Sequence, residues 1–185
     1  SFCSLAAETK KPNIILLFAD DQRADTIGAH GNAYIQTPNL DKLSDSGFSF
    51  RSNYCAGSFS GAVCVASRSM LMTGRHWQQI PGKKKSSGWA SLPLLPRHLQ
   101  ENAAYNTFIV GKWHNGLKTL NSAFSSGESV YMGGMSDHTN FYVQDYTKGT
   151  LGKKRKATEF SSTEFANSAI SFINQAKKEK PQFSY

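Results

Sequence analysis

An uninterrupted apolar run, Asn13 to Ala19 (NIILLFA), is the feature that most restricts how this chain can fold. It has the length of a strand and no polar alternation, so both faces of that strand must be covered. This predicts a buried strand in a parallel sheet. Two carboxylates, Asp20 and Asp21, follow at once. They fall at the strand's C-terminal end, where open α/β sheets bind ligands. Thr107 to Val110 reads as a second buried strand ended by Gly111, and Gln182 to Tyr185 as the start of a third.

Helical signals lie between these strands. Thr37 is an N-cap residue, Pro38 suits the first helical position, Leu40 and Leu43 give an apolar side, and Gly47 is a stop. Phe48, Phe50, Ser52 and Tyr54 then alternate with Ser49, Arg51 and Asn53, as on a half-buried strand. Gly57 to Gly61 reads as a loop, Ser67 to Thr73 as a helix stopped by Gly74, and Pro96 to Asn102 as a short helix. Residues 116 to 160 are rich in Gly, Ser, Thr and Asn and show no clear period. Ser161-Ser162-Thr163-Glu164 has the form of a capping box. Phe165, Ala169, Phe172, Ile173 and Ala176 share one helical face, and Pro181 ends that helix. Strands alternating with helices predict an α/β fold, a mostly parallel sheet flanked by helices.

A chain of 185 residues that is 39% hydrophobic and 18% charged can bury a core and is not a disordered segment. No apolar stretch approaches the roughly 18 residues of a membrane span. The formal net charge of +8 gathers in Lys83-Lys84-Lys85, in Lys153-Lys154-Arg155-Lys156 and in Lys177-Lys178 with Lys180. Such runs either attract a polyanion or decorate solvated loops and a helix face. A sulfated polysaccharide is one such polyanion. Nucleic acid is another, but the chain lacks a nucleic-acid motif and interleaved surface aromatics. Residues 1–7 resemble the tail of a secretory signal, with Ser4 and Ala6 spaced as a signal peptidase requires and polar Glu8 to Lys11 after them. Cys3 follows Phe2, where lipid attachment needs a small residue. Truncation at both ends is expected.

The chemistry centres on Cys64-Val65-Ala66-Ser67-Arg68-Ser69-Met70-Leu71-Met72-Thr73-Gly74-Arg75. A cysteine just ahead of a helix, with Ser67 as cap, faces unpaired backbone N–H groups and the positive end of the helix dipole. Arg68 and Arg75 add fixed charges suited to tetrahedral oxyanions. Adjacent Asp20 and Asp21 suit a hard divalent cation. In Gly111-Lys112-Trp113-His114-Asn115-Gly116, residues two apart share a side, so Lys112 and His114 project together and Trp113 opposite. A cation beside an imidazole suits leaving-group stabilisation and proton transfer.

Together these segments resemble the formylglycine-dependent sulfatases of the alkaline-phosphatase-like superfamily. The pattern Cys-x-(Pro/Ala)-Ser-Arg with a Leu-x-Thr-Gly-Arg ending is similar to their signature, with Ala66 where many members have proline. The strand with Asp20-Asp21 resembles their opening, as do Gly31-Asn32 and Thr37-Pro38-Asn39-Leu40-Asp41. Lys112-x-His114 resembles their second signature. The resemblance spans residues 11 to 116, with the remainder fitting more loosely, and makes residues 8–185 the N-terminal portion of a sulfatase catalytic domain.

The resemblance implies that a maturation enzyme, either formylglycine-generating or anaerobic sulfatase-maturating, oxidises Cys64 to formylglycine. That modification argues against a Cys55–Cys64 disulfide. It implies that Asp20, Asp21 and the modified Cys64 bind Ca²⁺, or Mg²⁺. Arg68 and Lys112 would hold formylglycine and sulfate, and His114 would help release sulfate. The hydrated aldehyde attacks sulfur with one hydroxyl and expels sulfate with the second. Asp137 and His138 are candidate substrate contacts, or alternatively a polar turn. Further metal ligands, a lysine and a histidine come from later segments in this family, so the chain alone is expected to be inactive. The expected function is hydrolysis of sulfate esters, on carbohydrate, in an exported protein of a periplasmic, extracellular or lysosome-like compartment. The alternatives are a phosphonate monoester or phosphodiester hydrolase, and a non-catalytic polyanion-binding module.

Overall fold

The computed structural model describes residues 10–58, 63–82, 88–175 and 180–185. The expected signal remnant at residues 1–7, the run Lys83 to Lys85 and the pair Lys177-Lys178 lie outside the described residues. The chain forms two compact units, one of Ser1–Leu17 with Gly57–Tyr185 and one of Phe18–Ala56.

The larger unit is built on a mixed sheet. Its strands are β1 (Ile14–Ile15), β2 (Asn106–Lys112), β3 (Ser126–Tyr131), β4 (Tyr142–Thr147), β5 (Thr150–Leu151), β6 (Arg155–Lys156) and β7 (Gln182–Ser184). They run in the order β1-β7-β2-β3-β4-β5, with β6 also on β4. β1, β7, β2 and β3 are parallel neighbours, which is the arrangement the continuous apolar runs predict. β4, β5 and β6 extend it antiparallel. This arm comes from residues 116 to 160, where the sequence shows no period.

The first strand is shorter than its apolar run. β1 pairs with the three-residue β7, Ile14 opposite Phe183 and Ile15 opposite Ser184. The Leu16 N–H still reaches the Ser184 carbonyl at 2.8 Å. Tyr185 then exchanges backbone bonds with Phe108 and Val110 of β2. Leu17, beyond this pairing, is 75% exposed.

The helices of this unit are α2 (Val63–Thr73), α3 (Leu95–Ala103), α4 (Gly116–Ala123) and α5 (Ser161–Gln175). They cover both faces of β2, because alternate strand residues point to opposite sides. Thr107 and Ile109 face α3 and α4: the Gln100 amide bonds the Thr107 hydroxyl and the Ala123 carbonyl. Phe108 faces α5, stacked on Phe172 at 3.8 Å between ring centroids. The main core gathers Trp89, Trp113, Phe124, Ile109, Leu120 and Phe183, all buried. Trp113 meets Phe124 edge-on at 5.6 Å and lies 5.8 Å from Trp89. Each such ring stabilises the fold by roughly 1.5–3 kcal/mol through burial.

α5 departs from its sequence reading at the start. Ser161 is its first residue, not a cap, and its hydroxyl bonds the His138 ring at 2.7 Å. Glu164 turns to Ser129 and Arg155 instead of back to the cap. The partners offered by the sheet outcompete the capping box. Ile173, read as part of the apolar face, is 40% exposed.

In the Phe18–Ala56 unit, α1 spans Pro38–Ser46. Thr37 precedes it, but its hydroxyl accepts the Gly28 N–H and donates to Asp41, both at 2.8 Å, in place of capping. Asp41 also accepts the Ala29 N–H at 2.8 Å. The Asn32 side chain accepts the N–H groups of Tyr34 and Ile35. Gly31-Asn32 and Thr37-x-x-x-Asp41 therefore hold a short helical turn, Gly28–His30, onto the start of α1. Gly47 is extended rather than left-handed. Phe48 to Tyr54 form no strand: Phe48, Phe50 and Tyr54 are all largely exposed, and no partner strand pairs with them among the described residues.

Candidate active site

Cys64 lies in the first turn of α2, one turn earlier than a Ser67 cap would place it. Ser67 is already helical, and its hydroxyl donates to the Cys64 carbonyl at 3.1 Å. The anion-attracting environment survives this change, because N–H groups of a first helical turn have no partner four residues back. Arg75 does not share that environment. α2 continues to Thr73 and is stopped by left-handed Gly74, whose N–H bonds the Met70 carbonyl. Eleven residues at helical rise put Arg75 roughly 16 Å along the axis.

Lys112 arrives from the sheet. It is the last residue of β2, and its ammonium donates to Cys64 Sγ at 3.3 Å. A register shift at Val110/Gly111 turns the strand end, with Gly111 left-handed at φ 81°. A β-carbon there would lie 3.3 Å from the Phe165 ring. Arg68, 2% exposed, ties the two elements together. Its Nε donates to the Lys112 carbonyl at 3.3 Å and its Nη1 to the Cys64 carbonyl at 3.4 Å. Cys64, Arg68 and Lys112 are thus brought together. Neither Cys55 nor Cys64 is in a disulfide.

Beyond Lys112, Trp113 is fully buried while Lys112 and His114 are half-buried. Trp113 Nε1 donates to the Gly116 carbonyl at 2.9 Å. His114 is left-handed at φ 57°, between Gly111 and Gly116 at φ 75°. The Gly134 backbone lies against its imidazole: a β-carbon there would stand 2.4 Å from Cε1 and 2.5 Å from Nε2.

Asp137 uses its carboxylate within its own turn, and His138 reaches the start of α5. Asp137 accepts the Thr139 N–H and hydroxyl at 2.6 Å and the Asn140 N–H at 3.0 Å. The Thr139 hydroxyl, above all, holds its carboxyl below the usual range. The His138 ring stacks on Phe160 at 5.4 Å and bonds Ser161.

Asp20 and Asp21 belong to the Phe18–Ala56 unit and are exposed there, with Asp21 left-handed at φ 54°. Adjacent carboxylates are the hard oxygen donors that Ca²⁺ or Mg²⁺ takes, so the donor type fits. They are two ligands of the roughly 6–8 that Ca²⁺ requires. Among the described residues no three His, Cys, Asp or Glu side chains converge on one position.

The Sulfatase family model matches residues 12–185, so it takes in both the Cys64–Arg75 and the Gly111–Gly116 segments. The chain belongs to the sulfatase family. The chain is 27% identical over 175 residues to N-acetylglucosamine-6-O-sulfatase of Bacteroides thetaiotaomicron, covering 94% of the chain and 29% of that relative. It is 38% identical over 117 residues to bovine (Bos taurus) arylsulfatase A, covering 60% of the chain and 22% of the relative. Its fold superposes with a TM-score of 0.71, at 24% identity, on a protein solved in complex with its substrate D-glucosamine-2-N,6-O-disulfate. That match covers 95% of the chain and 33% of the solved one. The architecture is thus that of sulfatases of alkaline-phosphatase-like fold. No described helix of the sulfatase is long and apolar enough to cross a membrane.

Two features of the site were invisible in the sequence. The tethering by Arg68 needs the β2–α2 packing to be known. The closeness of Gly134 to His114 has no local signal, since a Gly-Gly pair reads as a turn.

Proposed function

We propose that this sulfatase hydrolyses sulfate esters at residue 64, once Cys64 has been oxidised to formylglycine. The observation that carries this reading is the Lys112 ammonium, 3.3 Å from Cys64 Sγ in the first turn of a helix. Hydrated formylglycine would supply one hydroxyl to attack sulfur and a second to expel sulfate. Lys112 balances negative charge developing beside residue 64, where a preorganised cation is worth most. Arg68 fixes the separation of residues 64 and 112 by bonding both carbonyls. His114 moves the proton as sulfate departs. Asp20, Asp21 and oxidised residue 64 would hold Ca²⁺ or Mg²⁺, which when bound makes a coordinated hydroxyl more acidic.

A sulfated carbohydrate is the proposed substrate. The relative named for N-acetylglucosamine 6-O-sulfate supports this, as does the neighbour solved with a glucosamine disulfate. Exposed Lys153, Lys154 and Lys156 add a basic strip suited to a polyanionic chain. The proposed setting is an exported protein served by a formylglycine-forming enzyme that reads Cys64–Arg75.

The test co-expresses the protein with such an enzyme and compares aryl sulfate with aryl phosphonate turnover in added Ca²⁺. Loss of the Cys64 thiol, aldehyde reactivity and faster sulfate turnover are expected. Faster phosphonate turnover would move the activity to phosphonate or phosphodiester hydrolysis. An intact, alkylatable Cys64 with neither turnover would leave a polyanion-binding protein.

A further inference from the structure

We propose that Gly134 is a positioning residue for His114, holding the imidazole in one orientation by closing the backbone directly onto the ring. The proposal rests on the assignment of His114 to sulfate release. A β-carbon at Gly134 would lie 2.4 Å from Cε1, 2.5 Å from Nε2 and 3.1 Å from Nδ1. The first two distances are below those that β-carbons tolerate, the third is tight, and all three atoms belong to one rigid ring.

Gly134 is not among the glycines with positive φ, so its backbone suits any residue. Glycine is therefore required for space, not for a turn. The ring has little freedom to retreat. Its backbone is left-handed at φ 57°, a conformation that persists only when surroundings enforce it. Trp113 and Asn115 on either side are fully buried. Across the ring, the Tyr131 hydroxyl donates to the Met135 carbonyl and so anchors the 131–135 segment. The imidazole thus sits directly against the Gly134 backbone, on a main chain held left-handed between two buried neighbours. A methyl group at 134 must swing the ring, and misplacement by about 1 Å costs on the order of 10²-fold in rate.

The experiment is a double-mutant cycle on the matured protein, with Gly134→Ala, His114→Ala and both together, assayed on an aryl sulfate and by thermal unfolding. Gly134→Ala is expected to lower kcat by about 10²-fold with KM little changed, and to shift the His114 ring signals in NMR spectra. In the His114→Ala background the added methyl enters vacated space, so it should lower neither kcat nor the thermal midpoint further. Gly152→Ala, whose β-carbon would meet only the Asp145 carbonyl at 3.4 Å, should behave as wild type. If Gly134→Ala alone fails to fold, the double variant should fold. An equal loss of thermal midpoint in both backgrounds, or a double variant that also fails to fold, overturns the proposal. Wild-type kcat in Gly134→Ala, with His114→Ala inactive, overturns positioning while leaving the role of His114 intact. Wild-type kcat in His114→Ala removes that role, and the proposal with it.

Discussion

The ammonium of Lys112 stands 3.3 Å from Sγ of Cys64, although 48 residues of sequence separate them. One comes from the end of a buried strand and the other from the first turn of a helix, and Arg68 bonds the carbonyls of both. Replacing Lys112 by Met keeps the length of the stem and removes the charge. Turnover of an aryl sulfate should fall by about 10²–10³-fold, the loss typical of one preorganised donor. Circular dichroism should stay native. Lys112→Arg should not restore the rate, because a planar guanidinium cannot replace a compact ammonium at one sulfur-sized point. A rate within a few-fold of wild type in Lys112→Met would remove the cation from the reaction.

Cys64→Ser separates attack from release. A serine hydroxyl retains one nucleophilic oxygen and lacks the second hydroxyl that expels sulfate. The variant should form a covalent sulfate ester at residue 64 and then stop, giving at most one turnover. Mass spectrometry of the peptide carrying residue 64 detects the adduct. Sustained multiple turnovers by Cys64→Ser would rule out the two-hydroxyl account.

Much of this site could be read in the sequence because its two halves are local. Cys64 with Arg68 are one helical turn apart, so spacing alone assigns that pair to one side. Lys112 and His114 are only two residues apart, but the strand ends at Lys112 and His114 is left-handed at φ 57°, so strand alternation does not assign that pair. Parallel pairing was legible for a similar reason, but coverage on both faces holds only for Thr107–Val110; in NIILLFA only Ile14 and Ile15 form a strand, and Ile15 and Leu17 are 54% and 75% exposed. The reading failed where tertiary partners decide. Alternation from Phe48 to Tyr54 specifies a strand only if a neighbouring strand exists, and none pairs there among the described residues. Ser161 and Glu164 have the spacing of a capping box, yet His138, Ser129 and Arg155 bond them instead. The antiparallel arm of β4 to β6 rests on buried Phe141, Val143 and Ala157, too few apolar positions to stand out among polar ones.

Ala104 marks a stability change that should not touch the site. It ends α3 in the left-handed conformation, φ 58° and ψ 27°, with its following-turn geometry closing the helix. Alanine meets a steric cost there that glycine avoids. Ala104→Gly should stabilise the fold by about 0.5–1 kcal/mol, read from urea midpoints, with turnover unchanged. A lower midpoint would show that the alanine methyl contributes packing worth more than the backbone cost.

Glu164 gives the acid side of the stability profile. Burial pushes its carboxyl up, but Ser129 and Arg155 outweigh this and hold it below its ordinary value. The Ser129 hydroxyl donates at 2.8 Å, and Arg155 pairs with the same oxygen at 2.7 Å. Glu128 and Glu159 line the same polar cleft, while Asp145 accepts the Ser129 N–H. A carboxyl with a depressed folded pKa stabilises fully above its unfolded pKa. The unfolded chain takes up the proton first as pH falls, and the contribution is lost as pH passes through the folded pKa. At neutral pH, Glu164→Gln should cost about 1.5–3 kcal/mol, the range for hydrogen bonds to a charged group. Below the ordinary carboxylate range the gap between wild type and Glu164→Gln should close, because wild type has lost the same charge. Urea midpoints of both proteins, taken from neutral to acid pH, measure this directly. A gap that stays constant across that range would mean that Glu164 stabilises by packing and not by its charge.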